Sequence, residues 1–503
     1  MTAAGAAQVI IGLDVGTTRV KAVAFGVDTP WRQVAIREYR LLEPEPGQAV
    51  QDPRAVLEAV AGALAECVVA AAPAEVLAVS VSAAMHGLLA LDAARRPLTP
   101  LITWADARAG DQARALRSSG RAQDLHALTG APVHPMTPLT KLRWFAKHDP
   151  ATMRAARWWA GLKDYVLLWL TGELVTELSS ASGTGLLDLA ARTWSPVALE
   201  VAGVGADRLP PILATTATRP LAPGAAARIG LPAGTPVVLG AADGPLGNLG
   251  TGATAPGVAS LSLGTSGAVR MVVAEPQVDG DRTLFCYALT DAMWVVGGAI
   301  SNGGIVVRWA RKALAPDVGG DAAVLELAAA VPAGSEGLVM LPHLLAERAP
   351  LWDPDLPGAY LGLRRRHTRA HLVRAAVEGV CRQMRLLLES LDDVSTVRAV
   401  RVTGGVFGAA LWRDVMAAAL ARPIHVVGDT DGTALGAAAL GLFALGLSPA
   451  PERAAAALAG PDVAPPVMPD PALVAAYDET RAAIPALIAA LDPVATLFGG
   501  PAR

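Results

Sequence analysis

Two short apolar strands, far apart in the chain, each run into a Gly-Thr turn and leave it as a second strand. The first reads Ile10-Ile11-Gly12-Leu13-Asp14-Val15-Gly16-Thr17-Thr18, then Val20-Lys21-Ala22-Val23-Ala24-Phe25. The second reads Ala259-Ser260-Leu261-Ser262-Leu263-Gly264-Thr265-Ser266-Gly267, then Ala268-Val269-Arg270-Met271-Val272-Val273. A hairpin of this kind points backbone N–H groups and hydroxyls at one spot, which suits phosphate oxygens. A single copy would read as a connecting turn, as most glycine turns do. Two copies, one in each half, predict two related domains with a nucleotide held between them.

At 503 residues the chain is too long for one core, which agrees with two large domains. In the first half, residues 9–13, 20–25 and 32–39 predict three meandering strands. A helix follows over 53–71, with Asp52 as N-cap and Pro53 at its first position. Residues 76–81 predict a buried strand running into Met85-His86-Gly87, and 88–92 a further one. This order resembles a ribonuclease H-like unit more than a plain doubly wound sheet. A mostly helical insertion spans 106–170, and 236–241 is an apolar strand ending at Asp243-Gly244.

The second half repeats the logic, with strands at 259–273 and 293–298 and helices over 302–314 and 368–391. A strand at 397–403 enters Gly404-Gly405 and is followed by a helix over 409–421. A strand at 424–427 and a glycine-rich helix over 432–446 complete it. Residues 448–469, dense in Pro and Ala, predict an exposed crossing, and 471–491 a final amphipathic helix. Gly, Thr and Pro cluster at 250–258, so the expected units are 8–252, 253–447 and a tail, 448–503.

Composition excludes several partners. A net charge of −3 argues against nucleic acid, which needs a broad basic face. The dense basic run Arg364-Arg365-Arg366 reads as a solvated loop. The longest apolar stretch, 434–447, is shorter than the ~20 residues of a membrane-crossing helix, and its glycines suit close packing. Residues 1–7 lack the basic region of a secretory signal. Cys67, Cys286 and Cys381 are scattered without metal-ligand spacing, so reduced thiols in a cytoplasmic protein are expected.

The chemistry-bearing residues gather at predicted strand ends. Asp14 precedes the first turn, and a carboxylate there meets phosphate only through Mg²⁺ or its waters. Lys21, in the next strand, is within reach of phosphates. Asp243 ends an apolar strand, where a base would meet both a hydroxyl and a nucleotide. Phosphoryl transfer to an alcohol needs a carboxylate to accept the proton, in-line placement and charge compensation. Met85 and His86 leave a strand of the same sheet, although a lone histidine is more often structural. Trp104, Asp106 and Arg108 offer an aromatic platform and polar groups suited to a polyol. Taken singly, Trp104 reads as core and Arg108 as an ion-paired surface residue. Gly404 and Gly405 would let an adenine or ribose approach the backbone closely, and Gly304 near a helix start has a similar reading.

These pieces, in this order, resemble the FGGY family of carbohydrate kinases over residues 8–447. The matching motifs are Asp14-Val15-Gly16-Thr17-Thr18, Met85-His86-Gly87, Ala242-Asp243-Gly244 and Leu263-Gly264-Thr265-Ser266-Gly267. Further matches run from Leu341-Pro342-His343 through Glu347-Arg348-Ala349-Pro350 to Asp353-Pro354, and in Thr403-Gly404-Gly405 with Leu411-Trp412-Arg413. The resemblance implies an α/β protein of two ribonuclease H-like domains, of the actin and sugar kinase class, around a cleft. It implies Asp243 as the base, with Mg²⁺ near Asp14 and Asp243. It places ATP against Gly16, Thr17, Thr18, Lys21, Gly264, Thr265, Gly304, Arg308, Gly404 and Gly405. Met85, His86, Trp104, Asp106, Arg108 and Asp243 fall where family members contact the sugar.

Within the family, Ser82–His86 and Ile102-Thr103-Trp104-Ala105-Asp106 resemble the gluconokinase branch. So do His134–Leu142 and Gly297–Ile305. The function implied is ATP-dependent phosphorylation of gluconate, with a xylulose or other polyol kinase as the alternative. An actin-like ATPase that grips a protein partner is the remote one. The expected partners are a small sugar acid or polyol and no membrane, and the resemblance implies a homodimer as a common assembly. A gluconate carboxylate needs a cation, for which Arg108, Lys141 and Lys163 are available. One departure follows Gly405, where many members carry a polar side chain and this chain has Val406-Phe407-Gly408. Phe407 is the expected substitute, stacking on the base.

Overall fold

The first strand, Gln8–Val15, is buried over nearly its whole length and organises the N-terminal sheet. It pairs antiparallel with Arg19–Gly26, which pairs antiparallel with Arg32–Glu38. On its other side it pairs parallel with Glu75–Ala83, and beyond that lies Pro236–Val238, also parallel. Parallel strands covered on both faces need continuous apolar runs, as these have. The helix Pro53–Ala71 covers one face, with the Asp52 side chain accepting from the Arg54 N–H and Pro53 opening it as predicted. The computed structural model describes residues 7–491 and 493, except 346, 354–355, 429–430 and 462–463. Pro354 of the motif above and the last ten residues of the predicted tail lie outside the described residues.

The second sheet has the same plan. Val258–Leu263 pairs antiparallel with Gly267–Val273, then Met293–Ile300 and Phe285–Thr290 follow antiparallel. On the other side Ala399–Thr403 and Ile424–Val426 add two parallel strands. Three antiparallel strands beside two parallel ones recur in both six-stranded sheets. Thr218–Pro220 is added antiparallel at the edge of the first and Phe285–Thr290 at the edge of the second. This shared plan is that of the two ribonuclease H-like domains that the sequence predicts. The long helix Arg369–Val394 backs the second sheet with a face of buried apolar side chains.

Glycine joins the halves. The helix Gly432–Ala444 follows the second sheet in sequence but packs on Gln8–Val15 of the first. A Cβ on Gly12 would stand 2.0 Å from the Ala434 carbonyl oxygen, so only glycine admits this approach. Residues near strand ends of both domains, Asp14 and Asp243 from the first and Ser262 and Thr403 from the second, line one shared cleft.

Two expectations need correction, and one strand is new. Residues 448–469 are not a plain exposed crossing, because Pro451–Ala459 is a helix that buries Ala454 and Ala455 against Gly432–Ala444. Pro at its first turn is compatible with helix, and the alanine run has the strongest helix propensity. The single helix expected over 471–491 is broken into Pro471–Arg481 and Ile484–Ala489, with Pro485 in the first turn of the second piece. The strand Phe285–Thr290 was not anticipated; all its residues are buried, so it carries no alternating pattern. Residues 364–366 lie in an exposed turn, with Arg366 paired to Glu336.

Candidate active site

Asp14 and Asp243 reach the cleft from neighbouring elements of the first domain. Asp14 stands in register with Lys21 on one side and Ser82 on the other, and accepts a hydrogen bond from Ser82 Oγ at 3.2 Å. Burial pushes its carboxyl up to about 7, the nearby Asp243 adding to this while Ser82, Lys21 and Arg19 oppose it. Asp243 does not sit in an Asp-Gly turn. It opens the helix Asp243–Gly250, held there by the Ala242 N–H donating to Ser179 Oγ at 3.1 Å. Burial raises the Asp243 carboxyl above its ordinary value, opposed by Arg270, the Gly244 and Met85 N–H groups and Lys163.

Two cavities meet at Asp243 and Gly244, which line both. The smaller, about 260 Å³, is walled by Met85, His86 and Trp104 of the first domain and Tyr287, Arg348 and Trp352 of the second. The larger, about 650 Å³, is lined by Asp14, Arg19, Lys21, Gly404 and Gly405 among others. Arg270 and Ser262 also face both.

In the smaller cavity some polar groups are held by defined partners and others are free for a ligand. His86 Nδ1 lies 2.7 Å from the Gly183 carbonyl oxygen, so it carries the proton and donates. Burial lowers the His86 pKa to about 3, leaving a neutral ring whose Nε2 is an acceptor. Trp104 Nε1 donates to Thr17 Oγ1 at 2.9 Å, and the Arg348 guanidinium lies over the Trp104 ring at 5.0 Å. Arg348 Nη2 donates to the Ile300 carbonyl at 2.7 Å and Nε to Ser301 Oγ at 3.2 Å. Its Nη1 has no hydrogen-bond partner among the described residues. Tyr287 Oη and Arg270 Nε are buried without one.

Met85, His86, Trp104 and Asp243 thus line one cavity. Asp106 and Arg108 do not line the cavity. Arg108 Nε and Nη2 bind the two Asp106 carboxylate oxygens, each at 2.8 Å, and Asp106 also accepts from the Ala49 N–H. The cations expected to meet a carboxylate are committed as well. Lys141 Nζ donates to the His86 and Thr103 carbonyls at 2.7 Å each, and Lys163 pairs with Glu177 at 2.6 Å, both buried. Arg348 and Arg270 of the second domain stand there instead. An arginine inside the otherwise apolar strand Gly267–Val273 was the signal for Arg270.

On the larger cavity the structure brings together Asp14, Lys21, Gly404 and Gly405, and adds Arg19 and Thr433. Lys21 Nζ is bound to Asp431 Oδ1 at 2.6 Å, so its charge is shared. Thr17 lines the smaller cavity, while Gly16, Thr18, Gly264, Thr265, Gly304 and Arg308 line neither. Gly304 N–H donates to the Gly264 carbonyl at 2.7 Å and Arg308 Nη2 to Thr265 Oγ1 at 2.6 Å. These four form a brace between the second turn and the helix Ile305–Leu314. Gly404 has φ +121°, and a Cβ there would stand 2.0 Å from the Leu263 carbonyl oxygen. Phe407 is 1% exposed and packs in the second domain's core, so it cannot stack on a base. Glycines 405, 408 and 428 line that wall.

Residues 9–250 match the model of the FGGY family of carbohydrate kinases, N-terminal domain, and 259–445 that of its C-terminal domain. A gluconokinase of Bacillus subtilis (strain 168) is 36% identical over 449 residues, covering 87% of this chain and 88% of that protein. A crystal structure of gluconate kinase from Lactobacillus acidophilus superposes with a TM-score of 0.93 at 31% identity, covering 98% of this chain and all of that one. A ligand-bound xylulose kinase from the same organism superposes equally well, with a TM-score of 0.93 at 32% identity and the same coverage.

Proposed function

The chain belongs to the FGGY family of carbohydrate kinases, and from that premise we propose that it transfers the γ-phosphoryl group of ATP to the terminal hydroxyl of D-gluconate in the cytosol. The observation that carries gluconate over a neutral sugar is the charge of the smaller cavity. Two guanidinium groups, Arg270 and Arg348, face one carboxylate, Asp243, while His86 is neutral. An excess positive charge withdrawn from water is costly unless an anion joins it. A substrate carboxylate is such an anion, and Arg348, which lines only this cavity, is its cation. The identity with gluconokinases supports the same substrate.

Asp243 is the general base. It lies where the cavities meet, so it accepts the hydroxyl proton as the new O–P bond forms and the bond to the ADP leaving oxygen breaks. His86 Nε2 accepts from a sugar hydroxyl, and Tyr287 Oη, otherwise unpartnered, hydrogen-bonds another. The larger cavity holds ATP, with Gly404 and Gly405 as its backbone wall.

Asp14 and Asp243 fit a Mg²⁺ site. Both face the larger cavity, and burial together with the Asp243 charge raises the cost of charge on Asp14, which a divalent cation relieves. Among the described residues no three His, Cys, Asp or Glu side chains form a metal cluster. The remaining ligands would be phosphate oxygens and water, as suits Mg²⁺, whose chemistry when bound is to neutralise phosphate charge. Cys67, Cys286 and Cys381 are buried free thiols, which agrees with a reducing compartment.

A coupled ADP-release assay across gluconate, xylulose, ribulose and glycerol tests the reading. Gluconate is expected to give the highest kcat/KM. Preference for xylulose, which the xylulose kinase likeness also supports, would overturn the substrate.

A further inference from the structure

We propose that Arg270 is a catalytic residue, contacting the phosphoryl group in transit where the substrate cavity opens into the nucleotide cavity. The proposal rests on the reading of Asp243 as base. Arg270 sits on the second domain's strand Gly267–Val273, in register with Gly297. Glycine is what makes room for it, since a Cβ on Gly297 would stand 2.9 Å from Arg270 Cγ. The side chain crosses to the first domain and lies against Gly244, the residue after the base. A Cβ there would be 3.4 Å from Arg270 Nε and 3.7 Å from Cζ and Nη2.

Three observations converge on an anion at this point. Arg270 lines both cavities, whereas Arg348 lines only the smaller. Its guanidinium makes no hydrogen bond among the described residues, and Nε is fully buried. Asp243 is the nearby opposite charge, but a desolvated guanidinium with no hydrogen bond is still costly, so its retention calls for an acceptor that arrives with substrate. Its planar fork matches phosphoryl oxygens, and the hydroxyl that attacks γ-phosphorus must lie beside Asp243, next to Gly244. The gluconate carboxylate lies at the other end of the six-carbon chain, which leaves it to Arg348.

The step is balanced without a further reactant. The hydroxyl oxygen forms a bond to γ-phosphorus, the bond from γ-phosphorus to the bridging oxygen breaks, and the proton goes to Asp243. Arg270 keeps its proton throughout and meets the charge on the equatorial oxygens. Because Arg270 comes from one domain and Gly244 from the other, this compensation exists only when the lobes are together.

The test is steady-state kinetics of Arg270→Ala and Arg270→Lys in the full chain, with gluconate and ATP, and guanidinium chloride as a rescue reagent. Arg270→Ala is expected to lose about 10²–10³-fold in kcat, with both KM values within about threefold of wild type. Millimolar-range guanidinium restores part of that rate, and Arg270→Lys falls between the two. A raised KM for gluconate with kcat kept would overturn the proposal and make Arg270 a carboxylate contact. An Arg270→Lys enzyme with wild-type stability and wild-type kcat would also overturn it. Asp243→Asn, run in parallel, keeps the two readings apart. Turnover surviving that change removes the base but not the Arg270 pattern.

Discussion

The two cavities that meet at Asp243 are built by different means. The larger has a glycine-rich wall, Gly404, Gly405, Gly408, Gly428 and Gly432, facing the charged side chains of Asp14, Arg19 and Lys21. The smaller is made of side chains that converge from both domains, with Met85, His86 and Trp104 facing Tyr287, Arg348 and Trp352. A backbone wall accepts a ligand through close approach and N–H groups, so its chemistry is encoded in local glycine motifs. A side-chain wall depends on tertiary packing and fixes which substrate fits.

The largest effect should come from the wall that both cavities share. Asp243→Asn is expected to lower kcat by about 10²–10⁴-fold, with ATP binding by calorimetry largely kept. Turnover within about tenfold of wild type would remove Asp243 from the role of base.

Next, one change on each side should split the kinetics in opposite directions. Arg348→Met should raise KM for gluconate roughly ten- to a hundredfold with KM for ATP little altered. Gly404→Ala places a Cβ 2.0 Å from the Leu263 carbonyl oxygen. It should raise KM for ATP roughly tenfold or more while KM for gluconate holds. Equal effects of both changes on both substrates would erase the division between the cavities.

A third effect concerns pH. Burial raises Asp243 above its ordinary 3.8, and the base works only when ionised. The rate should therefore fall as pH drops through the raised value, with the acid limb of the kcat/KM profile above the ordinary carboxylate range. An acid limb at or below that range would contradict this. The smallest effect is at Phe407→Leu, a core change expected to cost about 1 kcal/mol, read as a lower Tm, with KM for ATP unchanged. A raised KM for ATP at constant Tm would place Phe407 on the base after all.

This contrast also explains what was legible in the sequence. The hairpins, Asp14, Asp243 and Gly404 stand where an apolar strand ends in a turn or a helix start, a local pattern. The Asp52-Pro53 helix start is equally local. An arginine in an apolar strand marks Arg270 as unusual, but nothing local says which domain the side chain of Arg270 or Arg348 will face. Asp106 and Arg108, two residues apart, read as ligand groups but satisfy one another. Lys141 is held by two backbone carbonyls that sequence spacing cannot reveal. Phe407 follows a motif glycine but turns into the core, since its neighbours there are the apolar side chains of the second domain.

The most direct measurement is a crystal structure of the chain with gluconate and a non-hydrolysable ATP analogue. The terminal hydroxyl oxygen is expected to be hydrogen-bonded to the Asp243 carboxylate, with γ-phosphorus in line on its far side. A substrate whose terminal hydroxyl is remote from Asp243, or a nucleotide outside the cavity lined by Asp14 and Gly404, would contradict this arrangement.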